Sequence, residues 1–171
     1  MSDKCFVSVD GIDFSIDEPE RPMNPKWYSH KLNRAGIRYE LAVAIHTGWI
    51  IWSNGPFPAG EYSDLTIVRQ SLNHCLCNNE CYIADGGYRD GYQWAITPSG
   101  HNSYQDRQIS VIRSRHETVN SRLRQWKILS ERYRHNLEKH SWVFLSVVNI
   151  IQLSLQLDSP AFQVHYNETE F

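Results

Sequence analysis

The stretch Ile37-Arg-Tyr-Glu-Leu-Ala-Val-Ala-Ile45, running on through Thr47-Gly48 into Trp49-Ile-Ile-Trp52, decides the fold class. Ile37, Tyr39, Leu41, Val43 and Ile45 occupy alternate positions, the two-residue period of a strand with one face in a core. Thr47-Gly48 supplies a turn, so the segment predicts a β-hairpin. Upstream, Cys5-Phe-Val-Ser-Val-Asp10 reads as another strand, expected to end at Asp10. Downstream, residues 54–60 carry Pro56, Pro58 and two glycines and are expected to hold no regular structure. Ser63 is placed to cap a helix with an apolar face of Leu65, Val68, Leu72 and Leu76. A short strand over residues 81–84 then stops at Asp85-Gly86-Gly87. After a loop, Ile109, Ile112, His116, Val119, Leu123, Trp126, Leu129 and Tyr133 outline one long helix. An apolar helix over 137–157 and a last strand over 161–165 complete a mixed α/β order.

The chain has 171 residues, 41% apolar and 21% charged, which suits a single domain with its own core. Seventeen bases against nineteen acids exclude a protein that coats nucleic acid by overall charge, so any such contact must be a local patch. The longest apolar run, residues 142–157, is broken by Ser146, Asn149, Gln152, Ser154 and Gln156. It falls short of the ~20 residues a spanning helix needs. With no charged-then-apolar leader, the expectation is a soluble intracellular protein without a membrane partner. Cys75, Cys77 and Cys81 crowd beside His74, but the spacing lacks the paired form of a structural zinc site and reads as buried or half-buried thiols.

Three carboxylates, with Asp64 as a fourth candidate, stand where chemistry could sit. Asp10 and Asp85 follow strands, and open sheets place their sites beyond the carboxyl ends of strands. Glu117 lies midway along the long helix, and Asp64 in the first turn of the helix after the hairpin. Like charges gather mainly where divalent cations neutralise them, and two such ions are the usual machinery for attack on a phosphodiester. Each acid also has an ordinary reading. Asp85 could serve its glycine turn, Glu117 could pair with Arg113, and Asp64 could favour a helix N-terminus. Residues 107–139 are basic, and Arg113, Arg115 and Arg124 are the candidates for contacts with DNA phosphates.

The wording of the motifs adds to their spacing. Val9-Asp10-Gly11-Ile-Asp-Phe, Lys26-Trp-Tyr-Ser-His-Lys31, Gly55-Pro-Phe-Pro-Ala-Gly60, Ser63-Asp64, Ala84-Asp85-Gly-Gly-Tyr88 and Arg115-His-Glu117-Thr-Val-Asn-Ser-Arg-Leu-Arg124 occur in that order. Together they resemble the DDE superfamily endonuclease domain of PIF/Harbinger-type transposases over nearly the whole chain. The resemblance implies a ribonuclease-H-like α/β fold, a mixed sheet with helices on both faces. It implies a metal-dependent DNA endonuclease with catalytic Asp10, Asp85 and Glu117. Those three and Asp64 would hold Mg²⁺, with Mn²⁺ as a substitute, and the work would be done in the nucleus. Related transposases carry a helix-turn-helix region ahead of the first catalytic strand. Here that strand starts almost at Met1, so the expectation is one catalytic domain over 1–171, working with a separate DNA-binding protein and as a homo-oligomer. The alternative is a transposase-derived interaction module, or relic fragment, without cleavage.

Overall fold

Lys4–Ser15 form one strand, β1, and the rest of the sheet is assembled around it. In this computed structural model, which describes residues 4–89, 91, 94–101 and 103–166, there follow β2 (Tyr28–Ser29), β3 (Arg34–Ala44) and β4 (Ile50–Pro58). Next come α1 (Asp64–Gln70), β5 (Glu80–Ile83), β6 (Ala95–Ile96), α2 (Tyr104–Arg124), α3 (Lys127–Ser130) and α4 (His140–Leu157). β1 pairs antiparallel with β3 from Val7 to Ser15 and parallel with β5 only from Lys4 to Ser8. β6 lies parallel to β5, while β4 and the short β2 pair with the far edge of β3. The order is therefore β4-β3-β1-β5-β6 in a mixed α/β sheet, with β2 pairing the first residues of β3.

Alternation sends the strand residues to two cores. Ile12 and Phe14 of β1 with Ile37, Tyr39, Leu41 and Val43 of β3 meet Val119 and Leu123 of α2 and Phe144, Val147, Val148, Ile151 and Leu155 of α4. The Tyr39 ring stacks on Phe144 with centroids 3.8 Å apart. Its hydroxyl and His140 Nδ1 share a 2.8 Å hydrogen bond. On the other face Val7, Val9, Ala42 and Tyr82 pack against Val68 of α1, Leu72 and Tyr88. Ser63 caps α1 as its sequence implies, its hydroxyl accepting from the amide of Thr66 at 3.1 Å.

Several expectations change. β1 does not end at Asp10, because Gly11 continues the strand beneath Asp64. A Cβ on Gly11 would lie 2.0 Å from Asp64 Oδ1, so only glycine leaves that carboxylate room. β4 runs through Asn54-Gly55-Pro56-Phe57-Pro58, which an edge strand tolerates because its outer side needs no N–H donors. The long helical pattern breaks at Trp126. Leu129 and Tyr133 are buried by a return of the chain to β1, where the Tyr133 amide donates to Ser15 O at 2.9 Å. Residues 161–165 form no strand; Ala161 and Val164 are buried three apart, not two, and the Tyr166 hydroxyl donates to Cys5 O. β6 was not foreseen. Cys5 and Cys81 are buried, but Cys75 and Cys77 are exposed, contrary to their amphipathic reading.

The apolar run also differs from its reading as too short. Leu137–Leu157 is 21 residues long and apolar enough to cross a bilayer by length and composition. Its Phe144-Val147-Ile151-Leu155 side lies in the core of this fold. Phe144→Ala is therefore expected to cost roughly 3–5 kcal/mol in urea unfolding. Trp142→Ala, on the 73% exposed outer face, is expected to stay within about 0.5 kcal/mol of the parent.

Candidate active site

The difference in length between β1 and β5 opens a crevice. β5 stops at Ile83, the partner of Ser8. On that side of β1 no described residue pairs with positions 9–14 before Tyr133 bridges to Ile16. Asp10 lies at the start of this open edge, and Asp85 just past the end of β5.

α2 is registered against β1 by two polar contacts. Ser8 Oγ and His116 Nδ1 share a 2.9 Å hydrogen bond, and Asn120 Nδ2 donates to Asp10 Oδ2 at 2.9 Å. Two residues of strand span about 6.6 Å and four of helix about 6 Å, so both pairs can form at once. Burial holds His116 down to about 4, so it is neutral at physiological pH. Arg113, Glu117, Asn120 and Arg124, spaced four, three and four apart, share one flank of α2. The exposed Glu117 is thereby on the helix that covers the Asp10 face of the sheet.

Asp10 registers the electrostatics of the site. Burial pushes its carboxyl up to about 6. Lys31 opposes the rise, while Glu117, Asp64 and Asp85 each add repulsion. Asp85 also serves its turn, accepting from the Gly87 amide at 2.7 Å, and its Oδ2 lies 3.9 Å from Arg113 Nη2. Asp64 sits across Gly11, on the face opposite Asp10. Lys31 Nζ donates to its Oδ2 at 3.0 Å and to Gly11 O at 2.9 Å, and Arg38 Nη1 is 3.3 Å from Oδ1.

Asp13 is three residues from Asp10 and takes the other face of the continuous strand. Arg38 Nε and Nη2 donate to its two oxygens at 2.6 and 2.9 Å, and Ser29 Oγ donates at 2.6 Å. Asp13 is thus engaged in structure. One acid escaped the sequence reading altogether. Glu40, opposite Gly11 in the ladder, is fully buried, and desolvation raises its carboxyl to about 8, so it is protonated at neutral pH. Its even position, shared with Arg38 and Ala42, was the available signal.

Among the proposed phosphate contacts, Arg115 is corrected. It is 1% exposed, and its Nη1 donates to the carbonyls of Ile45 and His46. It stands four residues before Val119 and eight before Leu123, on the buried stripe of α2, so it cannot meet DNA here. Arg124 is exposed and Arg113 partly so.

Among the described residues, no three His, Cys, Asp or Glu side chains lie close enough together to hold an ion as they stand. The donor set nevertheless suits a hard divalent cation, being carboxylate oxygen throughout, and Asp10 carries repulsion that such a charge relieves. Compared with known protein families, with curated proteins and with solved structures, the chain matches none.

Between the ordinary carboxyl value of 3.8 and about 6, folded Asp10 keeps a proton that the unfolded chain releases. The folded state then binds more protons, so stability falls as pH rises through this window and is level above it. Asp10→Asn is expected to match the parent near the bottom of the window and exceed its stability by up to about 3 kcal/mol above it. Urea unfolding as a function of pH checks this, and a constant difference across the window would contradict it.

Proposed function

We propose that this chain is a divalent-metal-dependent DNA endonuclease with the catalytic core of a DDE transposase on a ribonuclease-H-like fold. The observation that carries the reading is the placement of Asp10 at the start of the open edge of the central strand, with Asp85 just past the end of β5 and Glu117 on the helix that covers the Asp10 face. The strand order β4-β3-β1-β5-β6, with β3 antiparallel to β1 and with β5 and β6 parallel to it, supports the fold assignment. The six ordered motifs support the family.

In this reading Asp10, Asp85 and Glu117 would hold Mg²⁺, or Mn²⁺ in its place, while Asp64, expected from the motifs as a fourth ligand, stands on the opposite face of β1 and acts on Asp10 through its charge. Bound there, the metal supplies Lewis acidity for an attacking water and for the leaving oxygen of a phosphodiester. Asn120 fixes one oxygen of Asp10 and so orients the carboxylate. The Asp85 turn leaves Oδ2 beside Arg113, whose guanidinium can pass from that acid to an incoming phosphate. Lys31 holds Asp64 over Gly11 and lowers the charge that Asp10 feels. A nuclear location, assembly with a second copy and help from a separate DNA-reading protein belong to the same proposal.

The rival is a transposase-derived interaction module without cleavage. It is favoured by one observation, that Lys31 and Arg113 already pair with Asp64 and Asp85 while, among the described residues, no three acids are close enough for an ion. Incubating supercoiled plasmid with the protein separates the two. The parent is expected to nick it with Mg²⁺ and not with EDTA. Asp10→Ala and Glu117→Gln are expected to lose nicking, with DNA binding in EDTA equal or tighter because a negative charge has gone. Nicking by neither parent nor variant, or equally by both, would leave the interaction module.

A further inference from the structure

We propose that a cavity at the far end of β1 is a second phosphate-holding subsite, which grips the nucleic-acid backbone away from the carboxylates. The cavity measures about 770 Å³, and Arg34, Lys127, Arg132, Arg134 and His135 line it with a single carboxylate, Glu131. Its basic residues come from separate parts of the chain: the start of β3, α3 and the segment after α3. The fold brings them together by the bridge between Ile16 and Tyr133, which lays residues 131–135 beside the end of β1.

The charge of this cavity is open to a ligand. Arg34, Lys127, Arg132 and Arg134 are all exposed. Arg132 has only a 3.7 Å approach to Asp17, with both side chains more than half exposed. Arg34, Lys127 and Arg134 make no ion pair among the described residues. Three arginines of α2 are differently placed. Arg113 is beside Asp85, Arg115 is buried, and Arg122 donates to Ser159 O at 2.6 Å. Arg107, Arg124 and Lys139 are exposed as well, but the cavity draws Lys127, Arg132 and Arg134 of this stretch into one place, and Arg34, far away in sequence, joins them.

Position selects the occupant. From Asp10 to Ser15, which touches the cavity, β1 runs roughly 17 Å at about 3.3 Å per residue. The edge between is the one that β5 leaves open. Duplex DNA carries one phosphate about every 1.7 Å of its axis when both strands are counted, so a duplex laid along that edge offers phosphates over the whole distance. A backbone with one phosphate at Asp10 would present another at the cavity. The inference rests on the proposed action on DNA for its ligand, whereas its test needs no cleavage.

Binding of a short fluorescein-labelled duplex is measured by anisotropy in EDTA across roughly 50–200 mM KCl. Arg34→Ala and Arg134→Ala are each expected to flatten the slope of log affinity against log salt by about 0.9, and the double variant by about 1.8. Arg134→Lys should keep the parent slope, and Lys4→Ala, at the other end of β1, should leave it unchanged. Circular dichroism checks that each variant is folded. A parent-like slope in the double variant would overturn the subsite, even if plasmid nicking is found. An equal loss in Lys4→Ala, or equal competition by phosphate-free polyglutamate, would also overturn it by making the surface a general anion trap. A flattened slope with no nicking would keep the subsite and remove the nuclease.

Discussion

β1 has twelve residues and β5, its parallel neighbour, has four. That mismatch is the constraint on which the candidate site depends. A central strand ordinarily satisfies both edges by ladder pairing, because unpaired backbone groups away from water are costly. Here one edge is paired by β5 at its start and by the segment around Tyr133 at its end, and the stretch between is open. Lys31 takes up Gly11 O within that opening. The crevice places Asp10 in the wall, Asp85 at the near end and the basic residues around Tyr133 at the far end. Acidic and basic regions are thus two ends of one gap.

The acids around Asp10 are tolerated because the fold distributes cations among them by face. Arg38 and Lys31 serve the α1 face, where Asp13 and Asp64 lie. The Asp13–Arg38 pair is nearly closed from water and has further hydrogen bonds from Ser29 and to Tyr62 O, which a buried pair requires. On the α2 face, among the described residues, only the neutral amide of Asn120 hydrogen-bonds Asp10. The charge deficit is therefore uneven, and it falls on the residue that the motifs single out. Glu40 avoids the conflict by a different route, since burial keeps it protonated.

Much of this was legible in the sequence where a short period governs structure. The alternation from Ile37 to Ile45 gave β3 and its buried face, and the Asp-Gly-Gly after residue 84 gave the turn that Asp85 caps. On the continuous strand the same alternation sets Asp13 on the face opposite Asp10. What escaped depends on contacts remote in sequence. Nothing local says that Asp64 fills the space over Gly11, so the strand looked as if it ended at Asp10. Nothing local marks a helix break at Trp126, because Leu129 and Tyr133 keep a helical spacing for a different reason. Arg115 was misjudged although its signal was local. It lies on the stripe of Val119 and Leu123, and there position outweighs charge.

The same helix explains why basic composition is a poor guide to a binding surface. α2 must present one stripe to the sheet and another to the crevice, and arginines fall on both. Those on or beside the packed stripe become structural donors to carbonyls at Ile45, His46 and Ser159. Arg113, at the crevice, is drawn to Asp85 by proximity. At the helix end and beyond it, where the chain turns back toward β1, Arg124, Lys127 and Arg134 are exposed and make no ion pair among the described residues. A polyanion entering the open edge would find its strongest hold where the fold makes least use of the charge, and the carboxylates would meet it some distance along.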